Sequence, residues 1–523
     1  MGSPPPKRVL LITNSEHGQA NVFLATSYAL LTLPDEDVHV HFASFPSIQK
    51  SVLATSDHAL RDNPHARPLV FHEISGVSMV DAWSRPEVAS ERQRLAIVDV
   101  VSLFYAIRRM MVLLKVMLPW TGPEFVEIMK SVMDIVDDVQ PDVIAVDPAF
   151  SPALTALRYT GAKFMVLSPN TIKDFVMPLQ PNGEALWKYP CIGAPFPFPV
   201  PRHQIPSNIL LVLIALLTAA FFDSHRRAVQ SHVSHRLPGA QLTTLNDLSL
   251  KHLGLRFLVA NLPEIEFPLS APIPPSITRG GPILRPTPPL SSTSPPLSTF
   301  LHTAPTVYIN LGTHLTFTEP AAFELATALR ILFDACTTIT KPNLQALWKL
   351  PRHPNFDPAR IHALLAPELD AGRVRIVEWL DAEPTAILTA GGPGVGVVCA
   401  VHHGGANSFL EGVSAGIPHV ILPVWMDTYD FARRAEVLGI GRWGNVGAAG
   451  EEGVVCRGRE LGGVLVDVVV DNHPKYAARA RELAGLCERD GGGRVIAARR
   501  ILEEIGISRE GGKGGEDDNT NDE

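Results

Sequence analysis

Cysteine is scarce in this chain of 523 residues, and the five that occur, Cys191, Cys336, Cys399, Cys456 and Cys487, form no CxxC pair. That scatter excludes a disulfide framework and a zinc ribbon, and it reads as the reduced thiols of a cytosolic protein. Clustered positive charge is missing too. The net charge is -8 and no lysine and arginine track runs along the sequence, which gives no support to a nucleic-acid binder. Long apolar runs are also lacking. Ile209 to Phe222, ILLVLIALLTAAFF, is uncharged and follows Pro206, but it falls short of the roughly 20 residues that span a bilayer. It reads as a buried helix or pocket wall, with shallow contact at a membrane surface as the alternative. Lys7 and Arg8 precede only Val9 to Ile12, too brief for a signal-peptide core and better read as a first strand.

What is present is enough chain and apolar content for two domains. Val9 to Thr13, Val38 to Phe42, Val143 to Val146 and Phe164 to Leu167 are short apolar runs separated by helix-length stretches, a βα repeat. Pro263 to Pro305 is loaded with proline, serine and threonine and can hold neither a long helix nor a central strand. Strand-like runs resume at Val307 to Asn310, Ala346 to Lys349, Arg375 to Val377, Val397 to His402 and Val420 to Leu422, and helical periodicity follows His473. The expected division is a first Rossmann-like domain over 1–262, a linker over 263–305, a second such domain over 306–472, helices over 473–506 and an acidic, glycine-rich, disordered tail over 507–523.

The most informative stretch runs from Val397 to Asp430, VVCAVHHGGANSFLEGVSAGIPHVILPVWMDTYD. A β-branched strand leads into Gly404 and Gly405, where the backbone turns and a ligand can approach with no Cβ in the way. Asn407 and Ser408 open a helix that stops at Gly416, with Pro418 beyond it. The unpaired N–H groups of that helix point at the strand's exit and stabilise an anion there. Ser408 to Glu411 also spells a capping box, which needs no ligand. The wider spacing favours the ligand, because His403, Gly405, Asn407, Ser408, Glu411 and Asp427 all gather at the carboxyl edge of one sheet.

This segment resembles the donor-binding signature of the family 1 glycosyltransferases, the UDP-glycosyltransferases, and VHHGGANS, LPVWMDTYDFA and LGIGRWGN are nearest to the fungal branch that acts on small lipophilic metabolites. VRIVEWLDAEPTAIL at Val374 to Leu388, VYINLGTHL at Val307 to Leu315 and the opening RVLLITNSEHGQANVFLA are similar to further parts of that family. The resemblance implies an α/β GT-B fold: two Rossmann-like α/β/α domains facing across a cleft, with the C-terminal helices crossing back to the first. It implies that Trp379 stacks on the uracil, that Glu411 accepts from the ribose hydroxyls, and that Gly312, Thr313, His403, Gly405, Asn407 and Ser408 hold the diphosphate. Fixed donors aimed at that leaving group lower the barrier. Asp427 matches the acid that grips the sugar. Thr428 beside it replaces the usual glutamine, so the hexose is not legible.

The proton acceptor is less direct. Aligned with the family's G-H-x-N-P, GQANV at Gly18 to Val22 puts Gln19 on the base position, and an amide cannot take a proton. His17 in the same loop is the substitute, and Asp147 matches the carboxylate that orients the family's histidine. Their alternative roles are a strand cap and the start of a helix before Pro148. Two decoys complete the reading. Asp35, Glu36 and Asp37 spell a metal-binding DxD at the wrong end of the sheet, and His402 and His403 are adjacent, so a strand points them apart. The expectation is a metal-independent, inverting hexosyltransferase with no cofactor. It would use a UDP-sugar and a lipophilic terpenoid, sterol or polyketide in secondary metabolism, in the cytoplasm or peripheral to a membrane. A GT-B nucleotide-sugar epimerase and a non-catalytic UDP-sugar binder are the alternatives.

Overall fold

The computed structural model describes residues 6–34, 36–86, 103–251, 254–313, 315–338, 343–392, 394–448 and 455–513. Two parallel sheets organise them. The first runs β3-β2-β1-β4-β5-β6-β7, with β1 Lys7–Ile12, β2 Val38–Ser44, β3 Val70–Glu73, β4 Val143–Val146, β5 Met165–Ser168, β6 Phe257–Val259 and β7 Ile277–Arg279. The second runs β10-β9-β8-β11-β12-β13, with β8 Pro305–Asn310, β9 Gln345–Lys349, β10 Val374–Val377, β11 Gly396–His402, β12 His419–Ile421 and β13 Gly441–Trp443. Central strands such as β4 are buried along their whole length, as a sheet covered by helices on both faces requires.

Strand order reverses direction at β1/β4 in the first sheet and at β8/β11 in the second, and each reversal opens a crevice beyond the carboxyl ends. Register decides which loops meet there. Ile12 pairs with Val146, which brings Thr13 and Asn14 beside Asp147, and Asn310 pairs with His402, which brings Gly312 beside His403.

The chain after His473 forms helices His473–Cys487 and Gly493–Lys513. Ala497, Ala498 and Ile501 of the last helix share a buried cluster with Val22 and Leu30 of the first domain and with Phe409 and Phe431 of the second. The return crossing implied by the family resemblance is present, and the two-sheet architecture is the GT-B arrangement.

Two expected boundaries are corrected. The region 263–305 is not a free linker: β7 within it completes the edge of the first sheet, where a three-residue strand survives among prolines because it needs few ladder donors. Leu297, Phe300 and Leu301 of the same region pack with Tyr308 and Leu347 of the second domain. The helix ending at Lys513 also enters the stretch expected as a tail from 507, and the rest of that tail lies outside the described residues. Asp35 of the DxD lies outside them too. Glu36 pairs with Lys7 at 2.6 Å and Asp37 with Arg67 at 2.8 Å, on the amino side of β2 and away from the crevice.

A buried ionic seam joins the domains. Arg434 pairs with Glu266 at 2.8 Å, both wholly inaccessible, and Asp430 pairs with Lys173 and, at 2.6 Å, with Arg433. Glu266 also accepts from the backbone N–H of Lys173 at 3.1 Å and of Phe267 at 2.9 Å. Asp430, Arg433 and Arg434 belong to the second-domain helix Thr428–Leu438, so the seam fixes that helix against the first domain.

Candidate functional site

A cleft of about 1730 Å³ lies between the two carboxyl edges. His17, Gly312, Thr313, Trp379, His403, Gly405, Asn407, Ser408, Glu411 and Asp427 all line it.

The glycine turn after β11 is shaped from beneath. Buried His402 accepts from Gly404 N–H through Nδ1 at 3.1 Å, so its Nε2 carries the proton and faces His419 Nδ1 at 2.8 Å. Burial holds both imidazoles below their ordinary value, His419 at about 3, and they stay neutral. Gly404 has φ +86°, and a Cβ there would lie 2.7 Å from the Thr428 carbonyl oxygen. His403 turns the other way. A Cβ on Gly312 would stand 2.9 Å from its ring, and one on Gly405 would stand 2.6 Å from its Nε2, so the imidazole is wedged between the two glycine loops. The adjacent histidines do point apart.

Helix Ala406–Ser414 begins at Gly405 as N-cap, with no side-chain cap. The Ser408 to Glu411 capping box is therefore not formed: Ser408 sits inside the first turn. The first N–H groups of the helix are left to the cleft, which is the arrangement an anion uses. Asn407 Nδ2 reaches across and donates to the His17 carbonyl oxygen at 3.3 Å.

Trp379 is 59% exposed, with its ring open to the cleft and Lys349 Nζ 4.0 Å from the ring centroid. Glu411 is half-buried one helical turn beyond the glycine turn. Desolvation first, then the Glu383 carboxylate, push its carboxyl up to about 8 against the opposing pull of Arg285. Asp427 opens onto the cleft after Met426, whose φ of 43° is rare for a side chain other than glycine and turns the loop. Desolvation, with Asp174 and Asp430 nearby, raises its carboxyl to about 7.

Two assignments change. Asp147 does not touch His17. It is fully buried, accepts from Thr13 Oγ1 at 3.0 Å and Asn14 Nδ2 at 2.7 Å on one oxygen, and accepts from Ala149 N at 2.8 Å on the other. Both oxygens are used, and the register of β1 with β4 presents the loop residues Thr13 and Asn14 to it before the helix that begins at His17. Asn14 in turn accepts from Glu16 N at 2.7 Å, so Asp147 sets the loop that carries His17. Thr428 lines the cleft beside Asp427 but presents little side chain to it. It is 1% exposed, and its hydroxyl both donates to the Trp425 carbonyl and accepts from Trp425 N at 3.1 Å.

Lys349 escaped the sequence reading. Its signal was available, a lysine closing a strand at the carboxyl edge. It is nearly buried, desolvation lowers its pKa, and besides the Trp379 ring it reaches the Gly312 carbonyl at 3.4 Å. The His402–His419 pair was missed as well, because nothing in the local spacing says that two strands will set these rings side by side.

The cleft changes character along its length. Its first-domain wall carries the apolar side chains Met79, Trp83, Leu113, Leu114, Ala215 and Leu216, with Lys173, Asp174, Arg226 and Asp247 among the polar ones. A polar pocket at the helix start and a more apolar one thus share the cleft, with the exposed His17 between them.

The comparisons agree. The chain matches no family model. It is 31% identical over 507 residues to "Glycosyltransferase sdnJ" of Sordaria araneosa, covering 92% of this chain and 95% of that protein. Its fold matches the "Glycotransferase of kitacinnamycin" at a TM-score of 0.59 and 17% identity, over 96% of this chain and all of that one. It also matches a UDP-glucosyltransferase from Polygonum tinctorium at 0.60 and 16%, with the same coverage. The chain belongs to the family 1 UDP-glycosyltransferases and is a glycosyltransferase.

Proposed function

We propose that this enzyme moves a hexose from a UDP-sugar to a hydroxyl of a small lipophilic acceptor, a terpenoid, sterol or polyketide, with inversion and without a metal. The observation that carries the reading is the position of His17, exposed in the cleft between the phosphate-facing helix and the apolar wall.

On this reading Trp379 stacks on the uracil and Glu411 accepts from the ribose diol. The first-turn N–H groups of the Ala406–Ser414 helix, with Gly312, Thr313, His403, Asn407 and Ser408, hold the diphosphate. Lys349 lies close enough to Gly312 to add a cation. Asp427 accepts from the sugar hydroxyls. His17 removes the acceptor's hydroxyl proton as its oxygen bonds to the anomeric carbon, and the carbon–phosphate oxygen bond breaks with its electron pair leaving on UDP. With the base and the leaving group on opposite sides of the bound sugar, one displacement would invert the centre. The growing phosphate charge meets preorganised donors in place of a metal ion.

Five free, buried cysteines support a reducing compartment and a cytoplasmic protein. The test is UDP release measured with donor alone and with a panel of lipophilic hydroxyl compounds, followed by mass spectrometry. Acceptor-dependent release with a hexose-shifted product supports the reading, and release indifferent to acceptor sinks it.

A further inference from the structure

The helix Ile205–Leu217 continues as a π-helical turn, Thr218–Phe222, and has two unlike faces. One is held by the protein. Leu211, Ile214 and Thr218 are buried, and the Asn208 amide accepts from Cys191 N and donates to the Leu186 and Tyr189 carbonyls, each at 2.8 Å. The other is bare. Leu210, Leu213, Leu216, Leu217, Phe221 and Phe222 are all exposed, Phe221 by 65%, and three- and four-residue spacings align most of them on one stripe. Nine of the fifteen exposed large apolar side chains among the described residues lie between Leu179 and Phe222. Such concentration marks an interaction surface.

The charges that flank it along the chain are mostly basic. Arg202 and His203 stand exposed before the stripe, and Arg227, His235 and Arg236 after it. Between Glu184 and Asp247 the single acidic residue is Asp223, and its carboxylate is engaged by Arg226 N at 2.8 Å. A chain of net charge -8 thus carries a locally basic collar beside this bare apolar stripe. The stripe also reaches the cleft: Ala215, Leu216, Ala219 and Ala220 line the apolar pocket, and Leu216 is at once exposed and pocket-lining.

We propose that this face docks on an anionic phospholipid bilayer, with the stripe seated among the acyl chains, the basic collar against the headgroups and the pocket mouth turned toward the lipid. Apolar burial and attraction of basic residues to acidic lipids act together in such contacts. The helix lies on the bilayer. Although Arg202–Arg236 is apolar and long enough to cross a membrane, its inner face is bonded into the domain by Asn208 and cannot leave it. The acceptor's route from lipid to pocket rests on the lipophilic-acceptor reading above, whereas the docking does not.

The experiment is co-sedimentation of the full chain with vesicles of phosphatidylcholine alone and of phosphatidylcholine mixed with phosphatidylserine, at low and high salt. Wild type is expected to bind the mixed vesicles at least about tenfold better than the neutral ones and to lose that advantage at high salt. Leu213→Ser/Leu217→Ser/Phe221→Ser, none of them pocket-lining, should weaken binding about tenfold or more, and Arg202→Glu/Arg227→Glu should abolish the preference for acidic lipid. No binding by wild type, equal binding to both vesicles, or binding untouched by the triple variant would overturn the proposal. So would a wild-type dimer in sedimentation velocity that the triple variant disperses, since the stripe would then belong to a second copy. Transfer to a sterol held in the vesicles should fall in the triple variant while transfer to a water-soluble phenol stays unchanged. Vesicle binding without transfer to either acceptor would sink the acceptor reading and uphold the docking.

Discussion

Asn407 Nδ2 donates to the carbonyl oxygen of His17 at 3.3 Å, so the first turn of the phosphate-facing helix touches the first turn of the helix that carries the proposed base. The bond spans the cleft and ties the second domain's glycine turn to the first domain's opening loop. One such bond contributes about 0.5–1.5 kcal/mol. Asn407→Ala is therefore expected to lower kcat/KM by roughly three- to tenfold with the melting temperature nearly unchanged. Steady-state kinetics beside thermal denaturation checks it.

His17→Ala should reduce kcat by about 10²–10⁴-fold, the range of a lost general base, while donor affinity measured by calorimetry stays near wild type. Asp147→Ala differs in kind. It strands the donors of Thr13, Asn14 and Ala149 in a buried site, at about 1–3 kcal/mol for each unsatisfied group, so it should lower stability as well as rate. A variant of Asp147 that loses rate alone would restore the direct dyad.

Donor binding should strengthen as pH rises through about 8. Glu411 is protonated below that value, and its ionised form offers the better acceptor pair to a diol. Calorimetric titration of UDP across this range is the measurement, and Glu411→Gln should bind weakly with the slope gone. The stability effect runs the opposite way. The folded values of Glu411, about 8, and of Asp147, about 7, lie above their unfolded ones, so the stability each adds is complete below about pH 4 and is lost as pH climbs to the folded value.

Removing one partner of the seam leaves a buried charge. Glu266→Ala or Arg434→Met should destabilise the protein by about 3–5 kcal/mol, and replacing both with apolar residues of similar size should recover much of the loss. Denaturant unfolding of the single and double variants reads this directly. At Asp430 desolvation is outweighed by the Lys173 and Arg433 cations, and its pKa is held below the usual carboxylate value. Its share of stability is thus present above about pH 4 and lost as pH falls through the depressed value.

Gly405→Ala places a methyl group 2.6 Å from His403 Nε2 and must displace the ring. Donor KM should rise about tenfold or more as the phosphate loop reshapes, with the effect on fold stability small because the loop faces solvent. An unchanged KM would separate His403 from the diphosphate.

Long apolar strands were legible from the chain alone. β4 falls where Val143 to Val146 places it, and β8 through β12 sit within a residue or two of their expected bounds. Of the four three-residue strands, only His419–Ile421, within the apolar run that ends at Leu422, was legible. Phe257–Val259, Ile277–Arg279 and Gly441–Trp443 hold three residues each, and so brief a run has no periodicity of its own and becomes a strand only because a neighbour supplies the ladder.

The donor side of the cleft was written locally, as a strand, two glycines, a helix start and a carboxylate one turn on, because backbone geometry and dipole follow from residues close in sequence. The contacts made between distant residues were not. That Asp147 serves Asn14 in place of His17, that Thr428 turns its hydroxyl inward, and that Lys349 comes to rest on Trp379 depend on register and on side chains far apart in the chain. Sequence determined the elements and their order, since these follow from short-range sterics and apolar pattern. Tertiary structure alone decided which polar groups remain free to meet a substrate, because a hydrogen-bonding group is spent or spare only once its neighbours are in place.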